Sequence, residues 1–165
     1  MKRETGFTLM EMLIVIAIIL IIAAVTIPSL TNAKMNANEA SAVASVRAIN
    51  QMEAAYQAAY GGYAESLGNL GGADPCTKSS TTACLLDQSL AGGVKSGYNF
   101  AAVGGNPANG VDTSYVVGAA PVVFDRTGKR LFCLTDKNVI RGDLNAEGST
   151  VPPDAGACAG FRALE

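Results

Sequence analysis

Residues 7–16 read Phe-Thr-Leu-Met-Glu-Met-Leu-Ile-Val-Ile, with Gly6 before them and an apolar run from Met12 to Val25 that no polar residue breaks. From Phe7 to Ile27 the segment is long enough to cross a bilayer as a helix. A single ionisable residue, Glu11, sits in its first turns. A carboxylate inside such a segment costs roughly 2.5–3.5 kcal/mol on insertion scales, so it marks function by default and calls for a partner. The segment itself supplies no cation to pair with it.

Two plainer readings compete. An ordinary secretory signal is cleaved after its apolar core, near small residues, and Ala23-Ala24 has that character. The run is too long for such a core, and Glu11 would spoil it. A simple single-span anchor leaves unexplained why a glutamate stands near the start of the span and a glycine, Gly6, just before the span.

The short leader with Lys2 and Arg3, then Gly6-Phe7-Thr8-Leu9 and Glu11, resembles the type III signal of type IV pilins and type II secretion pseudopilins. The resemblance covers about the first thirty residues. It implies cleavage by a prepilin peptidase between Gly6 and Phe7 and methylation of the new Phe7 amine. It implies that Glu11 meets that amine on a neighbouring subunit, which would pair both charges in a low-dielectric core. Met10 departs from the aliphatic residue usual before the glutamate, and Pro28 matches a helix-bending proline found in many members. The implied chain has a leader at 1–6, a transmembrane and filament-core helix at 7–28, an amphipathic continuation at 29–62 and a globular head at 63–165.

Lys2 and Arg3 put the leader in the cytoplasm by the positive-inside rule, and the residues beyond the span on the opposite side of the membrane. The 165 residues leave room for one small domain beyond the span. The span inflates the 49% hydrophobic content, so that figure says little about the head. Removing residues 1–6 would move the net charge from −2 to −3, which does not advertise nucleic-acid binding.

Beyond the span, alanine-rich residues 29–60 predict a continuing helix. Val43, Val46, Ile49, Met52, Tyr56 and Ala59 recur every three or four residues and predict its apolar face. Lys34, Asn38, Glu39, Arg47 and Glu53 fill polar positions, Pro28 predicts a bend, and Gly61-Gly62 predicts the stop. Residues 63–96 read as a connection with helical pieces. Strands are expected at Tyr98–Val103, Ser114–Phe124, Lys129–Leu134 and Asn138–Arg141. Asp125-Arg126-Thr127-Gly128, with glycine placed for a positive φ, and Asp136-Lys137-Asn138 read as the turns between them. Gly104-Gly105-Asn106 reads as a turn as well. Pro121 marks its strand as an edge or as bulged. The expected fold is α+β: one long N-terminal helix laid against a small antiparallel sheet, pilin-like.

Cys76, Cys84, Cys133 and Cys158 all lie beyond the span, in an oxidising compartment on this reading. Sequence leaves three pairings open. Cys76–Cys84 and Cys133–Cys158 are preferred, because local pairs staple the two loop-rich parts. In the resembling pilins a C-terminal disulfide closes an exposed loop, and Cys133–Cys158 would be its counterpart. Zinc is disfavoured by the lack of C-x-x-C and of histidine. Calcium at Asp136, Asp143 and Asp154 would not fit a loop motif, and a solvated surface reads better.

Without histidine there is no Ser-His-Asp or Cys-His arrangement, and there is no phosphate loop. Tyr56, Tyr60 and Tyr63 read as core packing rather than an electron path. The expectation is a non-enzymatic subunit, without cofactor or resident metal, that polymerises with identical copies into a surface filament. Its other partners would be the peptidase, an inner-membrane assembly platform with its ATPase, and the membrane before assembly; nucleic acid is not expected. The alternatives are a secretion pseudopilin and a minor pilin acting in adhesion or DNA uptake.

Overall fold

A computed structural model describes residues 7–164. The expected leader, with Lys2, Arg3 and Gly6, lies outside them. The chain divides into two compact units, one ending at Lys34 and one beginning at Met35.

Helix α1 (Leu9–Tyr60) runs through both units. Thr8 starts it: its hydroxyl accepts the Glu11 amide at 3.2 Å, and its carbonyl accepts the Met12 amide at 3.3 Å. The first bond satisfies one of the amides that a helix N-terminus leaves orphaned, and the second begins the helix's own ladder. In the N-terminal unit the large apolar side chains from Phe7 to Leu30 are exposed. Pro28 stands inside the helix, flanked by two hydroxyls bonded one turn back, Thr26 to the Ile22 carbonyl at 2.7 Å and Thr31 to that of Ile27 at 3.2 Å.

The second unit packs the end of α1 on a sheet. Six antiparallel strands lie in chain order: β1 (Val94–Lys95), β2 (Tyr98–Ala108), β3 (Val111–Pro121), β4 (Arg130–Thr135), β5 (Ile140–Leu144) and β6 (Arg162–Ala163). Short helices α2 (Leu67–Leu70) and α3 (Gln88–Ala91) lie in the connection, and α4 (Ala155–Gly160) precedes β6. Because strand side chains alternate, Tyr98, Phe100, Tyr115, Val117, Phe132 and Leu134 share one face and pack with Val46, Ile49 and Tyr56 of α1. Val116 and Cys133 face the other way and pack with Cys158 and Phe161.

Several expectations shift. The helix stops as expected, with the Gly61 amide bonded to the Gln57 carbonyl at 2.8 Å. On its apolar face, Val43 and Met52 are only half-buried and Ala59 is exposed, while Glu53 is fully buried. Gly104-Gly105-Asn106 is not a turn but lies within β2, with Gly104 opposite Tyr115 and Gly105 opposite Ser114. The turn is Asn109-Gly110, with φ of +52° and +83°, the pair of left-handed residues that a tight two-residue hairpin needs. Pro121 is on an interior strand. It sits at the end of β3, opposite Tyr98 and beyond Ala119↔Phe132, the last pairing with β4, so no ladder amide is required of it there. In the turn before β4 the positive φ falls on Asp125, at +59°. Gly128 is needed instead for space, since a Cβ there would overlap the Tyr98 hydroxyl and stand 2.6 Å from its Cζ.

Candidate assembly segment and the polar groups of the head

Phe7 precedes the first turn of α1 and Glu11 lies within it, both exposed. None of the ion pairs among the described residues includes Glu11. The helix is long and apolar enough to cross a membrane. Its first part covers none of its own apolar surface, so lipid or other helices must cover it. The one group there that neither lipid nor an apolar helix satisfies is the Glu11 carboxyl.

In the second unit two cysteine pairs come together. Cys76 and Cys84 have Cα atoms 6.0 Å apart, and Cys133 and Cys158 have theirs 5.8 Å apart, each with disulfide geometry. Cys133 on β4 and Cys158 on α4 are both fully buried. They hold the segment after β5 against the outer face of the sheet, where the Pro153 carbonyl crosses so close to Gly118 that a Cβ there would not fit beside it. Asp154 caps α4 by accepting the Ala157 amide at 2.8 Å.

The three aspartates considered for calcium separate. Asp136 and Asp154 line a groove of about 540 Å³ on the outer face, while Asp143 and Asp154 line another of about 460 Å³. Among the described residues no three acidic or sulfur side chains are grouped as metal ligands. The tyrosines at the helix end pack as core: Tyr56 lies 4.6 Å from Tyr60 between ring centroids, and Tyr63 lies 4.5 Å from Tyr115.

The group that the sequence left among the polar positions is Glu53. Its Oε2 accepts the Ala64 amide at 3.0 Å, and its Oε1 is buried without a partner. Burial, aided by the nearby Asp112 carboxylate and opposed by the Ala64 amide, pushes its pKa up to about 7. A signal existed for it: Val46, Ile49, Glu53 and Tyr56 step by three and four residues, which puts the carboxyl on the buried stripe.

Residues 1–27 match the prokaryotic N-terminal methylation motif. A curated relative, the type IV wide pilus major component PilA4 of Thermus thermophilus, is 46% identical over 57 residues, which is 34% of this chain. The match spans 44% of that relative, less than half its length. No solved structure matches the chain. The methylation motif, the apolar helix that carries it, the α+β head with its antiparallel sheet and the pilin relative agree, and together they make the chain similar to type IV pilins and pseudopilins.

Proposed function

We propose that the chain is a structural subunit of a type IV pilus that polymerises through α1 into a cell-surface filament. The observation that carries this reading is an apolar helix surface exposed from Phe7 to Leu30, broken by one carboxylate in its first turn. A prepilin peptidase cuts between Gly6 and Phe7, and Phe7 is methylated. The subunit waits as a single-pass inner-membrane protein with its head outside the cytoplasm, where both cysteine pairs oxidise. An assembly platform and its ATPase then draw it from the bilayer. In the filament Glu11 of one subunit pairs with the Phe7 amine of the next, and Pro28 lets the helix bend to fit its neighbours.

Peptide mass spectrometry on filaments sheared from cells tests this. The expected result is an abundant peptide that starts at Phe7 and carries one extra methyl group. The same peptide confined to the membrane fraction would identify a pseudopilin or minor subunit. An intact Met1 terminus, or a start near Thr26, would overturn the reading. Glu11→Ala is expected to leave a stable membrane protein that assembles poorly, and a normal filament yield from it would remove the assembly role of Glu11.

A further inference from the structure

Among the described residues Glu53 is the one carboxyl side chain with no exposure to solvent. It joins three elements. Its Oε2 holds the Ala64 amide, and the residues on either side of Ala64 hold the β2–β3 hairpin: the Tyr63 amide donates to the Asp112 carbonyl at 2.9 Å, and the Glu65 carbonyl accepts the Gly104 amide at 3.2 Å. The three residues after the glycine stop therefore tie the end of α1 to the sheet through one carboxyl.

The surroundings of that carboxyl suit its neutral form. Its ionisable neighbours are Tyr56 on α1, Glu65 in the connection, and Asp112 and Tyr115 on β3, with Tyr60 and Tyr63 beyond them. All are acids, and none is a cation. Nor can the two nearest phenols donate to it. The Tyr56 hydroxyl is committed to the Ser80 carbonyl at 2.6 Å, and that of Tyr115 to the Asn50 side-chain oxygen. An ionised Glu53 would have one backbone donor, one bare buried oxygen and a carboxylate neighbour. Bare buried charge is strongly disfavoured.

We propose that Glu53 is a proton-operated latch, which fastens residues 63–65 and the β2–β3 hairpin to α1 when neutral and loosens them when it ionises. Its pKa, about 7, lies above the usual carboxyl value of 4.5. The folded head therefore holds this proton more tightly than the unfolded chain does. The stabilisation is complete below the usual value and is lost as pH rises through about 7. Asp112 lines a solvent groove of about 380 Å³ with Tyr56, Tyr63 and Glu65, which gives the proton a route out close to the latch. The device is independent of filament formation and can be read on the monomer.

The test is hydrogen exchange of the full chain in detergent micelles from pH 5.5 to 9, corrected for the intrinsic pH dependence and read at Tyr63–Glu65. Wild type should lose protection at these amides above pH 7, by up to tenfold per pH unit for one released proton. Glu53→Gln keeps an acceptor for Ala64 and cannot ionise, so its protection should stay flat. Asp112→Asn removes the neighbouring negative charge and should move the wild-type transition to lower pH. A wild-type profile that matches that of Glu53→Gln, protection that rises with pH, or an Asp112→Asn transition that moves upward would overturn the latch. If Glu53→Gln fails to fold, the direction of the Asp112→Asn shift decides alone.

Discussion

Replacing both Cys133 and Cys158 by alanine should lower the stability of the head more than any other paired change of similar size. The bridge closes a loop with a sequence separation of 25 and joins β4 to α4, with both cysteines fully buried. Loop-closure entropy assigns such a loop about 3.5 kcal/mol, and the separation of 8 between Cys76 and Cys84 about 2.5 kcal/mol. For a unit the size of residues 35–164, about 3.5 kcal/mol corresponds to a fall in Tm of about 12 °C. The two bridges should also differ in kind. Cys76 is exposed and its loop is local, so opening it frays one segment. Cys133–Cys158 holds a core cluster with Val116 and Phe161, so opening it uncovers the outer face of the sheet. Thermal unfolding of the detergent-solubilised chain, followed by far-UV circular dichroism, measures both double variants against the parent. A Cys133→Ala/Cys158→Ala protein melting within about 3 °C of the parent would refute the argument, because it would mean that the clamp adds nothing to the sheet. Non-reducing peptide maps that link Cys76 or Cys84 to Cys133 or Cys158 would refute the pairing itself.

Two further changes test the packing of α1 on the sheet. Gly128→Ala should cost about 1–3 kcal/mol through overpacking, because the added methyl meets the ring of Tyr98, which is fully buried and donates to the Arg130 carbonyl at 3.0 Å; a urea midpoint equal to wild type would show that the Tyr98 ring can move aside. Ile49→Ala should cost about 2–5 kcal/mol, because Ile49 is fully buried at the centre of the helix face and leaves a cavity. Its urea midpoint should fall with an unchanged m-value, and a loss of less than about 1 kcal/mol would mean that the helix does not pack there as described.

The long helix was legible because its signals are local: a threonine three residues before a glutamate, an unbroken apolar run, then alanines with spaced Val46 and Ile49, then glycines. The strands were legible in their middles, but β2 was cut short at Gly104, and the β-branched and aromatic Val122-Val123-Phe124 carried the expected strand past the end of β3 at Pro121. Gly104-Gly105-Asn106 read as a turn, yet these residues lie in β2, whose register with β3 is set from Asn109-Gly110 outward. That dipeptide is itself a strong hairpin signal, and the glycine pair upstream drew the turn away from it. Gly128 illustrates a different limit. Its requirement comes from Tyr98, thirty positions away in the chain, and no local pattern contains that contact. The acidic positions Asp136, Asp143 and Asp154 separated for the same reason: Asp136 follows β4, Asp143 lies within β5 and Asp154 caps α4, and only the sheet decides which face each joins. Glu53 was placed by its chemistry with the polar residues, whereas its position on the 3.6-residue repeat placed it inside.

Two carboxylates of α1, Glu53 and Glu11, obey one rule in different solvents. Glu53 lies among core residues and acids, so it keeps its proton up to about neutral pH and its environment needs no cation. Glu11 lies on a surface that lipid or other helices must cover, and within its own helix it has no such enclosure. In lipid the charged form is penalised by roughly 2.5–3.5 kcal/mol. Against a neighbour's Phe7 amine that penalty falls, and so does the corresponding penalty on the amine. The apolar residues around it do not discriminate in this way, because an isoleucine is covered about equally well by an acyl chain and by another isoleucine. On the proposed reading, Glu11 is therefore the residue of the segment whose energy differs most between bilayer and filament. Glu11→Gln removes that difference while keeping the shape, and should give monomers that stay in the membrane at normal abundance. Equal filament yields from Glu11→Gln and wild type would show that the apolar surface alone drives assembly.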